Sequence, residues 1–208
     1  MRNWSENKIE LVLIRHGATK ANQEHRYLGK TDESLSPEGI EELKKARQKG
    51  FYPAVDSLFV SPMKRCMETA EILYPDKAVI PIQEFEEMDF GIFEGKNYLD
   101  LQNDKRYQAW IDSNGTLPFP EGESREDFIR RCEQGFRKMI DSIRDNHAQG
   151  TIKAGAIVHG GTIMSVLSSF YGGDYFDYQI QNGKGYICKL KGNTYEISHI
   201  GILSGVSS

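Results

Sequence analysis

The sequence predicts an α/β layered fold with a largely parallel sheet. Short apolar runs are too continuous for strands with one wet face. Segments with apolar residues at helical spacing lie between them. Ser-Pro pairs and glycines punctuate the boundaries.

The first run, Ile9 to Ile14, is apolar apart from Glu10 and reads as a strand buried on both faces. Ser36 can cap a helix opened by Pro37, with Ile40, Leu43 and Ala46 on one face and Gly50 beyond its end. Ser57 to Val60 reads as a second strand. Ser61-Pro62 repeats the start signal, and Met63, Cys66, Met67, Ala70 and Leu73 form a helical stripe stopped by Tyr74-Pro75. Ala78 to Ile82 is a further short strand. Ser124 and Asp127 have capping-box spacing, followed by Phe128, Ile129, Cys132, Phe136, Met139, Ile140 and Ile143. Ala154 to Val158 is another strand, and Ile163, Val166, Leu167 and Phe170 follow it at helical spacing. Gly185 to Leu190 and Thr194 to Ile200 flank Lys191-Gly192-Asn193, a hairpin turn.

With 208 residues, the chain predicts one domain. A net charge of −4 argues against a broad basic face for nucleic acid. Cys66, Cys132 and Cys188 are widely spaced, without metal-ligand spacing; Cys66 and Cys132 fall on apolar helical stripes and read as core residues, as fits a reducing compartment. The polar start, Met1 to Lys8, and the lack of a long apolar run predict a cytoplasmic chain away from membranes.

Chemistry concentrates at strand ends, where open α/β sheets bind ligands. The first strand runs into Arg15-His16-Gly17, and Ala154 to Val158 runs into His159-Gly160-Gly161. The glycines permit close backbone approach, and the second begins a helix whose free N–H groups favour an anion. Arg65 adds a cation after the Ser57 to Val60 strand. Glu84, Glu86 and Glu87 crowd one region, where like charges would raise one carboxyl pKa; spacing alone does not choose among them.

The blocks Arg15-His16-Gly17-Ala18-Thr19, Arg26 to Asp32, Ser61 to Arg65 with Thr69-Ala70, Glu87 to Gly91, Pro120 to Ser124 and His159-Gly160-Gly161 appear in the order of the histidine phosphatase (phosphoglycerate mutase-like) superfamily. The chain resembles that superfamily nearly throughout. The resemblance implies a three-layer α/β/α sandwich, with a helical lid insertion at about 96–123. It implies a phosphatase needing no cofactor and no metal, with His16 as nucleophile, Glu87 as proton donor and His159 completing the catalytic set. Arg15, Asn22, Arg65 and Gly160 would bind phosphate, and Gly29 would contact substrate. The implied partner is a small phosphorylated substrate.

Within the superfamily, the Arg26 to Asp32 and Pro120 to Ser124 runs look most like the α-ribazole-5′-phosphate phosphatase group. The alternatives are a broad-specificity sugar-phosphate phosphatase, a phosphoglycerate mutase and an inactive phospho-ligand-binding regulator. Mutases typically carry Gly-Asn where this chain has Gly160-Gly161, and an adjacent arginine pair for which Lys105-Arg106 is a weak substitute. Ala18 stands where an acidic residue is common. His25, His147 and His199 match no motif and read as structural or surface residues. Tyr107, Trp110 and Phe119 read equally as lid core.

Overall fold

The IELVLI run becomes β1 (Lys8–Arg15), a central strand of the sheet, as burial on both faces requires. The computed structural model describes residues 8–146 and 150–205; Met1 to Asn7 and His147 lie outside them. The other strands are β2 (Ser57–Val60), β3 (Val79–Pro81), β4 (Thr151–Val158), β5 (Gly185–Leu190) and β6 (Ile197–Ile202). Their order is β3-β2-β4-β1-β5-β6. The first four run parallel, and β5 is antiparallel to both its neighbours.

The helices are α1 (Lys20–Gln23), α2 (Pro37–Gln48), α3 (Lys64–Leu73), α4 (Tyr98–Leu101), α5 (Lys105–Asp112), α6 (Arg125–Asn146) and α7 (Gly160–Phe170). Alternation along β1 divides the core. Leu11 and Leu13 pack with Phe136 and Met139 of α6 and Ile163 and Leu167 of α7. Val12 and Ile14 pack with Leu43 of α2 and with Cys66 and Ala70 of α3. The result is the expected three-layer sandwich. A third cluster joins Phe93, Leu101, Phe119 and Phe128, with Tyr27, Tyr107 and Trp110 against it. It packs α4 and α5 onto the remainder.

Some local expectations are corrected. Ser61 does not cap α3, which begins at Lys64 with Met63 in the cap position and no side-chain cap. The acceptor comes instead from Asp32 Oδ1, 2.7 Å from the Lys64 N–H. Met67 leaves the apolar stripe and is 37 % exposed. The Ser124 box is half-formed: Ser124 Oγ accepts from Asp127 N–H at 3.0 Å, but its hydroxyl donates to the Asp127 carboxylate. The hairpin loop is longer than three residues. Thr194 Oγ1 donates to Lys191 O and accepts from Glu196 N–H, holding residues 194–196 in a turn, so β6 starts at Ile197.

Register sets the level of the strand ends. Arg15 pairs with Val158 and Val60 with Ile157, so His16, His159 and Ser61 leave neighbouring strands at nearly one height. Gly39 of α2 lies so close to the residue after His16-Gly17 that a Cβ there would sit 2.2 Å from Ala18 O. Helix propensity alone favours alanine over glycine by about 1 kcal/mol. We predict the opposite sign for Gly39→Ala: a loss of about 1–3 kcal/mol in urea denaturation, from overpacking. A gain in stability would refute this reading.

Candidate active site

His16 follows β1 directly and is 3 % exposed. Its Nδ1 lies 2.7 Å from Gly17 O. A carbonyl can only accept, so Nδ1 carries the proton and Nε2 keeps the lone pair. The peptide that orients the ring is itself held: Gly17 N–H donates to Thr69 Oγ1 at 3.0 Å, and that hydroxyl donates to Arg65 O. Burial lowers the His16 pKa well below its ordinary value, and Arg65 and Arg15 push it further down. The ring is therefore neutral and ready to donate its electron pair.

His159 precedes α7 and is completely buried. Its ring centroid is 5.2 Å from that of His16. Arg65 Nε–H donates to Nδ1 at 3.3 Å, which leaves Nε2–H to donate to Ser61 Oγ at 2.8 Å. Ser61 thus serves a ring 98 positions away instead of capping the local helix. Burial is again the main cause that lowers the His159 pKa, followed by Arg65.

Arg65 has no exposed surface, yet it reaches the acceptors around it. Nη1 donates to Thr31 O, and Nη2 to Gly29 O and more weakly to Leu28 O. Glu94 Oε1 takes the N–H groups of Gly29 and Thr31 on the same loop. Gly29 is consequently buried behind the site, its backbone clamped from both sides. A Cβ there would meet Met88 O at 2.0 Å.

Arg15, Asn22, Glu87 and Gly160 line one cavity of about 900 Å³. Arg15 Nη1 donates to Ile180 O at 2.7 Å, while its Nε is buried with no protein acceptor. Arg15 lines the cavity, and an unpaired buried charged donor calls for an anion. Asn22 Oδ1 accepts from Thr19 N–H and from Asn182 Nδ2, each at 3.1 Å, which turns the Asn22 amide NH2 away as a donor. Gly160 and Gly161 bring the first amides of α7 to the same wall.

Glu87 has a side chain 11 % exposed, and its Oε2 lies 3.9 Å from His159 Nδ1. The crowded-carboxylate explanation for its pKa does not hold. Glu84 pairs with Lys138, and Glu86 accepts from Gln83. Burial instead raises the Glu87 pKa, against the pull of the Met88 N–H and of Arg65, Arg15 and Arg131. A Cβ on Gly161 would lie 2.7 Å from Glu87 Oε1, so the second glycine makes room for the carboxyl. The site thus combines a neutral imidazole, fixed cations, helix amides and a carboxyl whose pKa is raised by burial.

Sequence reasoning missed several residues. Asn182 Nδ2 also donates to His16 O, tying the His16 backbone to Asn22. His25 lines the cavity, whereas His199 is exposed as expected. His25 sits at φ 53, where the chain leaves α1, in a conformation that favours glycine. Tyr107, Trp110 and Phe119 pack among themselves and around Tyr27, and Tyr27 is the member that reaches the cavity. All three cysteines are buried and free. Among the described residues no helix is long and apolar enough to cross a membrane.

The profile described as Histidine phosphatase superfamily (branch 1) matches residues 11–202. An adenosylcobalamin/alpha-ribazole phosphatase of Escherichia coli is 27 % identical, over 79 % of this chain and 80 % of the relative. A 2,3-bisphosphoglycerate-dependent phosphoglycerate mutase of Nautilia profundicola is 38 % identical, over 72 % and 71 %. Among solved structures, the alpha-ribazole phosphatase of Shigella flexneri superposes with a TM-score of 0.76 at 24 % identity, covering 96 % of this chain and 100 % of that one.

The raised Glu87 pKa has a thermodynamic consequence. The folded chain holds that proton to higher pH than the unfolded chain does. The associated stability is present below the ordinary value of 4.5 and is lost as pH rises through the folded value. Glu87→Gln removes this loss. Its melting temperature should exceed that of the parent by a margin that widens from about pH 5 to pH 8; a margin that shrinks would contradict the burial argument.

Proposed function

The chain belongs to the histidine phosphatase superfamily, and from that premise we propose a metal-independent phosphomonoesterase that forms a phosphohistidine on His16. The observation that carries this reading is the His16 tautomer. Its Nδ1–H is spent on Gly17 O, so Nε2 keeps its lone pair as a neutral nucleophile in the field of the Arg15 and Arg65 guanidiniums.

In the first step, Nε2 attacks phosphorus and the P–O ester bond breaks. The bonding pair leaves on the ester oxygen, which takes the Glu87 proton. Positive charge develops on the imidazole and is met by Gly17 O at Nδ1–H. Charge on the equatorial oxygens is met by Arg15, Arg65, the Asn22 amide and the first amides of α7. In the second step, Glu87 takes a proton from water as that water attacks phosphorus. The P–N bond breaks, and its pair returns to Nε2. The arginines supply charge neutralisation that many phosphoryl-transfer sites take from magnesium.

The far wall of the cavity bears on the leaving group. Tyr27, Met164, Gln179, Ile180 and Gln181 line it, with His25 at the side. Arg26 also lines it, but is paired with Glu24 and Asp100. Arg106 pairs with Asp104 and stands outside the cavity lining. No uncompensated guanidinium remains there for a second anionic group among the described residues. This favours a neutral, polar alcohol as leaving group and disfavours phosphoglycerate. The E. coli relative makes α-ribazole 5′-phosphate the lead substrate, with sugar phosphates next. The segment at about 96–123, carrying α4 and α5, is the proposed lid, and we place the chain in the cytoplasm.

A phosphatase panel in chelator tests the reading. Wild type should release phosphate from neutral-alcohol esters, and His16→Ala should lose about 10³-fold or more in kcat/KM. Activity that requires added metal, or that survives His16→Ala, refutes the mechanism. Interconversion of phosphoglycerates would establish the mutase reading instead.

A further inference from the structure

Glu87 lies in the stretch Glu86–Phe90, which has no regular structure. A general acid must reach the leaving oxygen within about 2.6–3.2 Å, and an error near 1 Å costs about 10²-fold. Something must therefore hold this segment. Arg131, on α6, does so. Its Nη1 donates to Glu84 O and Glu86 O, both at 2.9 Å, and its Nη2 reaches Glu87 O at 3.4 Å. Glu123 grips the same guanidinium in a bidentate pair, Nε to Oε1 at 3.1 Å and Nη2 to Oε2 at 2.8 Å. Glu123 also holds the far side of the segment: its backbone N–H donates to Asp89 O at 2.9 Å, and its Oε2 accepts from Asp89 N–H.

We propose that the Glu123–Arg131 pair is the positioning device for Glu87, fixing where the carboxyl delivers and recovers its proton. The inference rests on reading Glu87 as the general acid. One ion pair pins the backbone on both sides of the carboxyl, at carbonyls 84, 86 and 87 and at Asp89. The bond pattern needs a planar fork of donors, which lysine lacks. Pairing also matters electrostatically. Arg131 pulls the Glu87 pKa downward, and a bare guanidinium there would pull harder, favouring the ionised form. Glu123 lets the arginine bind three carbonyls without acting as a naked cation.

The test uses two esters in rapid-quench measurements of phosphoenzyme formation. p-Nitrophenyl phosphate has a leaving group that departs unprotonated; an alkyl phosphate does not. Arg131→Gln and Arg131→Lys should lose about 10²-fold on the alkyl ester and change little on the aryl ester. Glu123→Gln, which keeps the arginine and one acceptor oxygen for its fork, should lose less than Arg131→Gln on the alkyl ester at low pH, still sparing the aryl ester, and should move the alkaline limb to lower pH. Equal losses on both esters, or none on either, overturn the proposal. So does an unmoved limb in Glu123→Gln, which keeps the idea falsifiable if the Arg131 variants fail to fold. Glu87→Gln must itself show the leaving-group dependence. If it does not, the acid assignment fails; if it does and the Arg131 variants do not, the positioning role alone fails.

Discussion

Arg65 is a full positive charge with no exposed surface. Removing a guanidinium from water costs several kcal/mol unless its hydrogens find acceptors. Meeting that demand organises much of the site. The carbonyls of Leu28, Gly29 and Thr31 turn inward to it, which fixes the loop joining Arg26 to Asp32. Glu94 satisfies that loop's amides, and Gly29 can pack there because it lacks a Cβ. Asp32, at the loop's end, then supplies the α3 cap that Ser61 does not. One buried charge thus places a loop, starts a helix and frees a serine for His159.

The same charge sets the protonation states. It donates to His159 Nδ1, fixing that ring's tautomer, and it lowers the pKa of both histidines. Glu87 experiences the opposite balance: burial raises its pKa while the arginines pull it back. Fixed cations held beside two neutral histidines and a carboxyl of raised pKa are costly in the absence of an anion. A phosphate ester relieves the cost by giving the cations their counter-charge. On the proposed reading, this uncompensated charge is what draws a phosphoryl group into the site.

The parts legible in the sequence were those with a local cause. β1 was readable because burial on both faces leaves a continuous apolar run, and α6 because its stripe, Phe128 to Ile143, spans about four turns. His16 and His159 were readable as strand-terminal residues before glycine. Ser61 was misread because Ser-Pro is a helix-start signal, and its competing partner lies 98 residues away. Glu87 could not be separated from Glu84 and Glu86 by residue type; burial separates them, and Lys138 draws Glu84 outward. His25 carried no motif, because its place depends on a left-handed backbone position beyond α1. Asn182 likewise owes its role to the return of β5 beside β1, a pairing across about 170 positions.

The proposed phosphoryl-transfer centre does not by itself distinguish hydrolysis from mutase chemistry, since either would pass the group to His16 and then away. The difference lies in what reaches the phosphohistidine next. A mutase must retain its anionic product and return it in a new orientation, which requires uncompensated positive charge on the far wall. Here Arg26 is balanced by two carboxylates and Arg106 faces Asp104 outside the cavity. On the proposed reading, a neutral alcohol has no strong partner among these groups, so it would depart and water would take its place. The 38 % identity to a mutase is compatible with this, because overall identity is dominated by the shared frame while acceptor choice depends on a few charges at the rim.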